Sequence, residues 1–591
     1  MAKLKGCLIL VGALFAGACQ QKGSHSNPSA MQDSLHHLAA AYYDANMALN
    51  PLQATFNGEN QYNDQLPVDI SESYRAHADS FFAAWQQQLK GIDTAVLSGN
   101  DRITYDMLQR EFEINREGLT FHDHLMPVQQ FTCLPLTLAQ LGSGSSAQPF
   151  KNRKDYENFI HRMQGFAVWT DTAIANMRRG IATGYVLPKS LVVKTIPQLA
   201  ALAKKDTGNV YYAPLKTLPD SLDAAAKAQL TKDYTAAIEN YILPSYAKLH
   251  QFMEKEYLPK ARASSGINGI PDGSAYYTYL IKYWTTTNKS PEEIFELGEK
   301  EVARIRDEME AVKNSTGFKG DLPAFFLSVR TDKKLRIFKT PAAILDSFKA
   351  IENKIMPGVK KMYGHFPKTK FEIRQTEAYR AASASAEYMP GSPDGTRPGV
   401  FYVPILDATK FSYTGMECLF LHEAIPGHHF QFSLQQENDS LPKFRRFSWI
   451  GAYGEGYALY CESLGKELGL YTDPYMYFGR LSDEIHRAIR LVVDVGLHTK
   501  GWTREQAIKY MMDNEPVSEQ EVTAEIERYM AIPGQALSYK IGEIKIRELR
   551  NKYTQELGDK FSLSSFHDEL LKDGCVPLSI LEQKMARWAG R

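Results

Sequence analysis

The sequence predicts a mostly α-helical protein with a small antiparallel β-sheet, and three observations support this fold class. Residues 290–293, Ser-Pro-Glu-Glu, combine an N-cap serine, a proline at the first helical position and a capping-box glutamate. The same capping-box spacing recurs from Thr503 to Gln506 and from Ser518 to Glu521. Strand-like sequence is sparse by comparison. We therefore expect helices to build most of the chain.

The first residues have the pattern of a bacterial export signal. Two lysines precede an apolar run of 12 residues, 7–18, which is too short to span a bilayer. Residues 16–19, Ala-Gly-Ala-Cys, resemble a lipobox, with alanine in place of the usual leucine. We expect residues 1–19 to be a lipoprotein signal peptide and residues 20–29 a flexible tether. Cys19 would then anchor the protein in the cell envelope, in the outer membrane or facing the periplasm; without that lipid the protein would be secreted.

Residues 30–591 are predicted to form one large domain. Helical periodicity is clearest over 30–50, 70–118, 153–180, 222–256 and 343–362. The best strand is 399–405, which follows a turn-rich segment at 390–398. The chain of 591 residues balances 68 basic against 68 acidic side chains, so nothing in its charge favours a nucleic acid partner.

The most informative segment is LFLHEAIPGHHF at 419–430. A His-Glu pair at the end of an apolar helical run, with further histidines within two turns, is typical of a catalytic zinc site. Two imidazoles bind the metal and the adjacent carboxylate activates water. Pro426 occupies the position of the second histidine in the common H-E-x-x-H motif. With two residues inserted, His422 pairs with His428 if the chain bulges, and His429 is the rival second ligand.

A second block, GEGYALYCESL at 454–464, follows the first. Glu455 stands 27 residues after His428 and resembles the third ligand of zinc peptidases that carry an Asn-Glu-Gly-Phe-Ala helix after the metal helix. Glu462 lies two turns farther along the same helical face, where it could orient a metal-binding histidine. Taken with the first block, this spacing favours a metal site over a helix with exposed acids.

Four ordered blocks together resemble a bacterial lipoprotein family formerly of unknown function, placed in the gluzincin (thermolysin-like) zinc metallopeptidase clan. Besides HEAIPGHH and EGYALYCE, they are RLVVDVGLHTKGW at 490–502 and PGQALSY at 533–539. The resemblance is densest over residues 375–545. It implies a zincin-like fold, a large multi-helix body with a deep cleft and Zn²⁺ on its floor, held by His422, His428 and Glu455. It also implies that an edge strand, here 399–405, lies beside an extended peptide substrate.

The residues support a hydrolytic mechanism. Glu423 would act as the general base and then pass the proton to the leaving amine. One further donor should stabilise the oxyanion, and the candidates are His498 and Tyr539, with Tyr529 behind them. Asp494 would either orient a histidine or pair with Arg490.

The predicted function is therefore a zinc-dependent peptidase that hydrolyses peptide bonds outside the cytoplasm. Two alternatives remain open at this stage. One is a non-catalytic lipoprotein that binds a solute, and the other is a zinc hydrolase acting on a non-peptide amide or ester. The oligomeric state, the peptide preference and the choice between endo- and exopeptidase action do not follow from the sequence.

Overall fold

The computed structural model describes residues 28–377, 381, 385–392 and 395–590. The predicted signal peptide, Cys19 and residues 20–27 of the predicted tether lie outside the described residues. Residues 28 and 29, which we assigned to that tether, begin the first helix. No helix in the described ranges is both long enough and apolar enough to cross a membrane.

The described residues form 23 α-helices and three β-strands. The helices of the N-terminal part are α1 (Pro28–Leu49), α2 (Pro51–Phe56), α3 (Glu72–Leu89), α4 (Gly99–Gly118), α5 (Leu134–Leu141), α6 (Arg153–Thr183), α7 (Lys189–Leu202), α8 (Ala224–Ala237), α9 (Leu243–Phe252), α10 (Gly273–Thr285), α11 (Pro291–Ser315), α12 (Leu322–Thr331) and α13 (Pro341–Met362). Those of the C-terminal part are α14 (Met416–Glu423), α15 (His428–Glu437), α16 (Lys443–Arg446), α17 (Gly451–Ser463), α18 (Pro474–His498), α19 (Arg504–Asn514), α20 (Glu519–Ala531), α21 (Ser538–Leu557), α22 (Leu563–Leu571) and α23 (Leu578–Trp588). The strands are β1 (Phe371–Gln375), β2 (Glu387–Met389) and β3 (Gly399–Val403).

The prediction of a mostly α-helical fold is confirmed. Ser290, Thr503 and Ser518 each cap a helix with the expected capping box. Each box satisfies two backbone N–H groups that a helix start would otherwise leave unpaired. The long periodic stretch at 70–118 divides into α3 and α4, which pack against each other.

The sheet is mixed, so the prediction of an antiparallel sheet is wrong in part. The strand order is β1-β3-β2, in which β3 runs parallel to β1 and antiparallel to β2. The expectation that β3 is an edge strand is also wrong, because it is paired on both sides. Val400, Phe401 and Val403 are buried, including neighbours that point to opposite faces, as expected for a central strand. The edge strands of this sheet are β1 and β2.

The helices bury two large hydrophobic cores. The larger core is formed mainly by α10 to α23, where α11 packs along α18 and α17 packs along α21. The second core is formed mainly by α5 to α9 and contains many tyrosines and phenylalanines. The sequence blocks at 419–430, 454–464 and 490–502 all lie in the larger core, which brings their side chains together.

Candidate metal centre

The HEAIPGHH segment forms two helices with a sharp break between them. Helix α14 ends at Glu423 and α15 begins at His428. The two inserted residues therefore lie in a four-residue connection rather than in a bulge within one continuous helix. The backbone N–H of His429 donates to the carbonyl of Ala424 over 3.2 Å, and the Tyr457 hydroxyl donates to the carbonyl of Pro426 over 2.9 Å. These bonds hold the connection in place.

Gly427 makes this break possible through close packing. A Cβ atom at this position would collide with the carbonyl oxygen of His422. Only glycine lets the chain pass so close to the end of α14. The close passage brings the start of α15 back beside the last turn of α14, and His428 therefore meets His422.

The structure brings His422, His428 and Glu455 together. One ligand atom from each of these side chains lies within 4.8 Å of the others. Oε2 of Glu455 is 3.5 Å from Nε2 of His422 and 3.7 Å from Nε2 of His428. The two imidazole rings are nearly perpendicular, with centroids 4.9 Å apart. The three predicted ligands thus form a compact group at the meeting point of α14, α15 and α17.

Glu462 contacts His422 at Nδ1, the ring nitrogen that faces away from Glu455. Its Oε1 lies 2.7 Å from Nδ1 of His422, and both side chains are buried. A carboxylate on Nδ1 fixes the tautomer that leaves Nε2 free as a ligand, and it makes that nitrogen more basic. Glu462 therefore stands where the sequence placed it, two turns beyond Glu455 on α17.

His429 points away from this group. Its Nδ1 lies 2.9 Å from the Tyr388 hydroxyl, and its ring packs against Phe371 with centroids 4.9 Å apart. Burial lowers the pKa of His429 to about 4, so the ring is neutral at pH 7. The side chain that faces Glu455 is thus His428, while His429 joins α15 to the sheet.

The pKa values show how strongly these groups interact. Burial alone would lower the pKa of His422, but hydrogen bonds to Glu455 and Glu462 raise it to about 10. Burial alone would raise the pKa of Glu455, but the two histidines hold it far below its usual range. A partly buried carboxylate flanked by two imidazoles attracts positive charge, and a divalent metal would satisfy it.

Glu423 is half-buried at the end of α14, next to His422. Its Oε2 accepts a 2.8 Å hydrogen bond from the backbone N–H of Tyr388 in the edge strand β2. No other described group donates to this carboxylate, so Oε1 is unpaired among residues 28–377, 381, 385–392 and 395–590. The predicted general base is therefore fixed through Oε2, while Oε1 has no partner in the part of the chain that the structure describes.

Tyr539 lies on α21, which packs very closely against α17, the helix that carries Glu455. A Cβ on Gly456 would come 2.5 Å from Cα of Gly542, and one on Gly542 would collide with the carbonyl of Ala452. This contact places the first turn of α21, which carries Tyr539, against the first turns of α17. Burial raises the pKa of Tyr539, and the charge of Glu455 adds to the increase.

The Tyr539 ring is held by Arg490, whose guanidinium carbon lies 4.7 Å from the ring centroid. This contact fixes the ring without occupying its hydroxyl. Within the described part of the chain, the hydroxyl has no hydrogen-bond partner. Tyr539 therefore keeps a proton available for a substrate.

His498 has a different environment, in which both ring nitrogens are used. Nδ1 accepts a 2.9 Å bond from the backbone N–H of Ile267, and Nε2 donates to the carbonyl of Tyr529 over 3.0 Å. Burial lowers the pKa of His498 to about 3. A fully buried ring with both nitrogens bonded to backbone has no donor left for an oxyanion. These contacts favour a structural role for His498.

The remaining groups of the 490–502 block are also bonded elsewhere. Asp494 accepts from the Tyr277 hydroxyl over 2.5 Å and from the Gly534 N–H over 3.1 Å, so it neither orients a histidine nor pairs with Arg490. Arg490 bonds the hydroxyl of Tyr529 instead, over 3.0 Å. The hydrogen bonds of this block therefore connect α18 to neighbouring elements, which stabilises the packing around the centre.

Similarity to other proteins places the chain in a family. Residues 51–585 match DUF885, a family of bacterial proteins of unknown function. The chain belongs to DUF885. No curated protein matches the sequence. The DUF885 match spans all four sequence blocks, together with the helices that carry the centre.

Two solved structures share the DUF885 chain's fold over almost its whole length. A crystal structure of a "putative lipoprotein" from Colwellia psychrerythraea is 28% identical and covers 95% of this chain and 99% of its own, with a TM-score of 0.83. A "putative lipoprotein of unknown function" from Shewanella oneidensis is 20% identical and covers 93% and 99% respectively, with a TM-score of 0.75. The second likeness, at this identity, concerns the fold alone.

Sequence reasoning missed two residues at the centre of this DUF885 protein. Tyr388 holds Glu423 through its backbone and His429 through its hydroxyl, but no pattern in a three-residue strand indicates this. Trp449 lies with its ring centroid 5.7 Å from that of His428 and stacks on Phe432 at 4.9 Å. It precedes the start of α17 by two residues and is 43% exposed, which is unusual for a tryptophan.

Proposed function

We propose that this protein is a zinc-dependent hydrolase that cleaves peptide bonds, with His422, His428 and Glu455 as the zinc ligands. The observation that carries the proposal is the convergence of two imidazole nitrogens and one carboxylate oxygen, with Glu462 bonded to the far nitrogen of His422. Two histidines and one glutamate are a ligand set of catalytic zinc sites, which leave a further position for water or substrate. The donor chemistry thus fits the metal.

Zinc held there would supply Lewis-acid activation of water and of the substrate carbonyl. Groups of the protein itself transfer the proton and position the base. Oε1 of Glu423 takes a proton from the attacking water, while the Tyr388 N–H holds Oε2 in place. The same carboxyl group then delivers the proton to the leaving amine.

Tyr539 is the better of the two predicted oxyanion donors. Its hydroxyl has no partner among the described residues, and Arg490 fixes its ring. His498 has no free nitrogen. A donor that is held in place before the reaction stabilises developing negative charge without reorganisation. We therefore assign the Tyr539 hydroxyl to the oxyanion.

The strand available to an extended substrate is β2. It is the sheet edge whose backbone contacts Glu423, whereas β3 is paired on both sides. Pairing with a strand edge binds extended peptides through their main chain and with little dependence on sequence. This role for β2 replaces the one that the sequence suggested for 399–405.

We further propose that the protein is anchored in the cell envelope through a lipid on Cys19. Two solved structures similar to this chain are described as putative lipoproteins, and the N-terminal segment resembles an export signal with a lipobox. The substrates would then be peptides outside the cytoplasm. A membrane is the second expected partner, and nucleic acid is not expected.

The experiment is metal analysis combined with peptide profiling. Zinc-replete protein should carry one zinc per chain and cleave members of a mixed peptide library, and a chelator should abolish cleavage. Glu423→Gln should keep the zinc and lose about 10²- to 10⁴-fold in kcat/KM. Glu505→Gln, a control at an exposed glutamate of α19, should match the wild type.

Three other outcomes contradict the proposal in different ways. Tight solute binding that is insensitive to chelator and to His422→Ala would identify a binding lipoprotein. Bound zinc with turnover of esters or non-peptide amides, and no cleaved peptide, would change the substrate class. Full peptidase activity in Glu423→Gln would remove the general base from the mechanism.

A further inference from the structure

A large cavity opens next to the metal centre. Its volume is about 920 Å³, and it lies between α1, α4, α10 and the segment that leads into α17. This volume is within the range of small-molecule and peptide side-chain pockets. None of the described residues that line the cavity belongs to the metal triad, so the cavity adjoins the centre without containing its ligands.

Trp449 forms the boundary between the cavity and the triad. It lines the cavity, and its ring also contacts His428. Gly451 lines the cavity as well and begins α17. Glu455 follows four residues later, roughly 6 Å along the helix axis. A substrate at the metal centre would therefore extend into this cavity within one or two residues.

One wall of the cavity is a row of tyrosines on α10. Tyr276, Tyr279 and Tyr283 follow each other at helical spacing, and all three line the cavity. Neighbouring rings have centroid distances of 6.2 and 6.1 Å. The Tyr283 side chain is 41% exposed. Aromatic faces carry negative potential, which attracts ammonium and guanidinium groups.

Glu111 on α4 adds a negative charge to the same cavity. Its Oε1 accepts a bond of 3.3 Å from the Tyr42 hydroxyl, and within the described ranges it forms no salt bridge. Burial raises the pKa of Glu111, and the charge of neighbouring Arg110 offsets this only in part. No described residue forms a salt bridge with this carboxylate, and Arg110 acts on it only through its charge.

The positive side chains in the cavity wall are already engaged. Arg110 donates to the carbonyls of Lys282 and Tyr283 at the C-terminal end of α10, over 2.9 and 3.4 Å. Arg75 pairs with Asp123 at 3.1 Å. Helix C-termini carry partial negative charge, so Arg110 is compensated where it stands. Among the described lining residues, the charged group left without a salt bridge or a backbone carbonyl to compensate it is therefore the Glu111 carboxylate.

We propose that this cavity binds a cationic group of the substrate, an ammonium or guanidinium that sits on the tyrosine row and faces Glu111. The pocket would select peptides with a positive charge one or two residues from the scissile bond, and in this respect the inference rests on the proposed peptidase function. The cation could belong to a lysine or arginine side chain or to the peptide amino terminus.

Calorimetric binding to the Glu423→Gln protein tests the proposal without turnover. The probes are three short peptides of equal length: an acetylated peptide with lysine, the same peptide with norleucine, and the norleucine peptide with a free amino terminus. At least one cationic peptide should bind ten or more times tighter than the acetylated norleucine peptide. The lysine probe identifies a side-chain site and the free-terminus probe a terminal one.

Matched variants locate the effect. Glu111→Gln, added to this protein, should abolish the preference for charge, whereas Asp123→Asn removes a lining carboxylate that is already paired and should keep it. Tyr283→Leu provides a second variant at an exposed position, and it should weaken cationic probes while sparing the norleucine probe. Equal affinity for all three probes, or a preference that survives both Glu111→Gln and Tyr283→Leu, overturns the proposal.

The binding and cleavage experiments can fail independently, so the cation pocket and the proposed peptidase function are tested separately. A Glu111-dependent preference in a protein that binds no zinc and cleaves no peptide would support the pocket and reject the peptidase. Zinc-dependent cleavage of peptides with no preference for positive charge in binding would do the reverse.

Discussion

His422 and His498 are both buried histidines of the larger core, yet their surroundings are opposite. His422 has a carboxylate on each ring nitrogen, which raises its pKa to about 10. His498 has a backbone group on each nitrogen, and burial lowers its pKa to about 3. A buried histidine thus becomes a candidate metal ligand when carboxylates surround it and one nitrogen faces a second ligand. Burial, or a position in a conspicuous sequence block, does not by itself identify a histidine as a metal ligand.

The largest expected effect is the difference in zinc content between a variant of His422 and a variant of His498. His422→Ala removes a ligand, so zinc content should fall from one per chain to below about 0.1. His498→Gln should keep full zinc and lose about 1–3 kcal/mol in the free energy of unfolding, because one buried backbone group loses its partner. Elemental analysis and urea unfolding measure the two effects. Equal zinc loss in both variants would contradict the comparison.

The second prediction sharpens the contrast between a free and an engaged tyrosine. Tyr539→Phe should lower kcat about 10²- to 10³-fold with little change in KM, because one oxyanion donor is lost. Tyr529→Phe is the control, since the Tyr529 hydroxyl already donates to Glu525 over 2.6 Å. It should cost stability and leave kcat within about twofold. Similar losses of kcat in both variants would remove the special role of Tyr539.

The third prediction concerns the carboxylate behind His422. Glu462→Gln should weaken zinc affinity about 10- to 100-fold, because the imidazole loses its charged partner. Glu569→Gln alters another buried glutamate, which pairs with Lys572, and zinc affinity should not change. Competition with a chelator of known affinity measures both. An unchanged zinc affinity in Glu462→Gln would show that the backing carboxylate does not tune the centre.

The smallest effect is a pH dependence of stability caused by His498. Its pKa rises from about 3 in the folded protein to the ordinary 6.5 on unfolding. Below pH 6.5 the unfolded chain therefore binds a proton that the folded protein does not. The free energy of unfolding consequently decreases as the pH is lowered. This residue contributes a slope of up to about 1.4 kcal/mol per pH unit. His498→Gln should show a shallower slope between pH 7 and 5 in urea unfolding, and an unchanged slope would contradict the assignment.

Much of the fold could be predicted because its signals are local. The capping boxes at Ser290, Thr503 and Ser518 depend on residues three apart, and each one forms. The strand predicted at 399–405 was found by its composition and forms over Gly399–Val403, but its partners β1 and β2 lie elsewhere in the chain. A strand sequence does not specify its neighbours, so the central position of β3 and the mixed sheet were missed.

The centre was predictable in its residue types and less so in its geometry. His422 follows from the His-Glu pair, Glu455 from the resemblance to zinc peptidases, and Glu462 from its helical spacing to Glu455. The choice between His428 and His429 depended on the break around Gly427, whose close contact with the His422 carbonyl has no local signal. The same holds for the cavity, in which Glu111, Tyr283 and Trp449 converge from three distant segments.

The central claim is that His428, and not its neighbour His429, completes a zinc site with His422 and Glu455. Zinc content after equilibrium dialysis of His428→Ala and His429→Ala tests this most directly, because the two variants remove adjacent buried histidines. We predict one zinc per chain in the wild type and in His429→Ala, and almost none in His428→Ala. Full zinc in His428→Ala, or its loss in folded His429→Ala, would contradict the account.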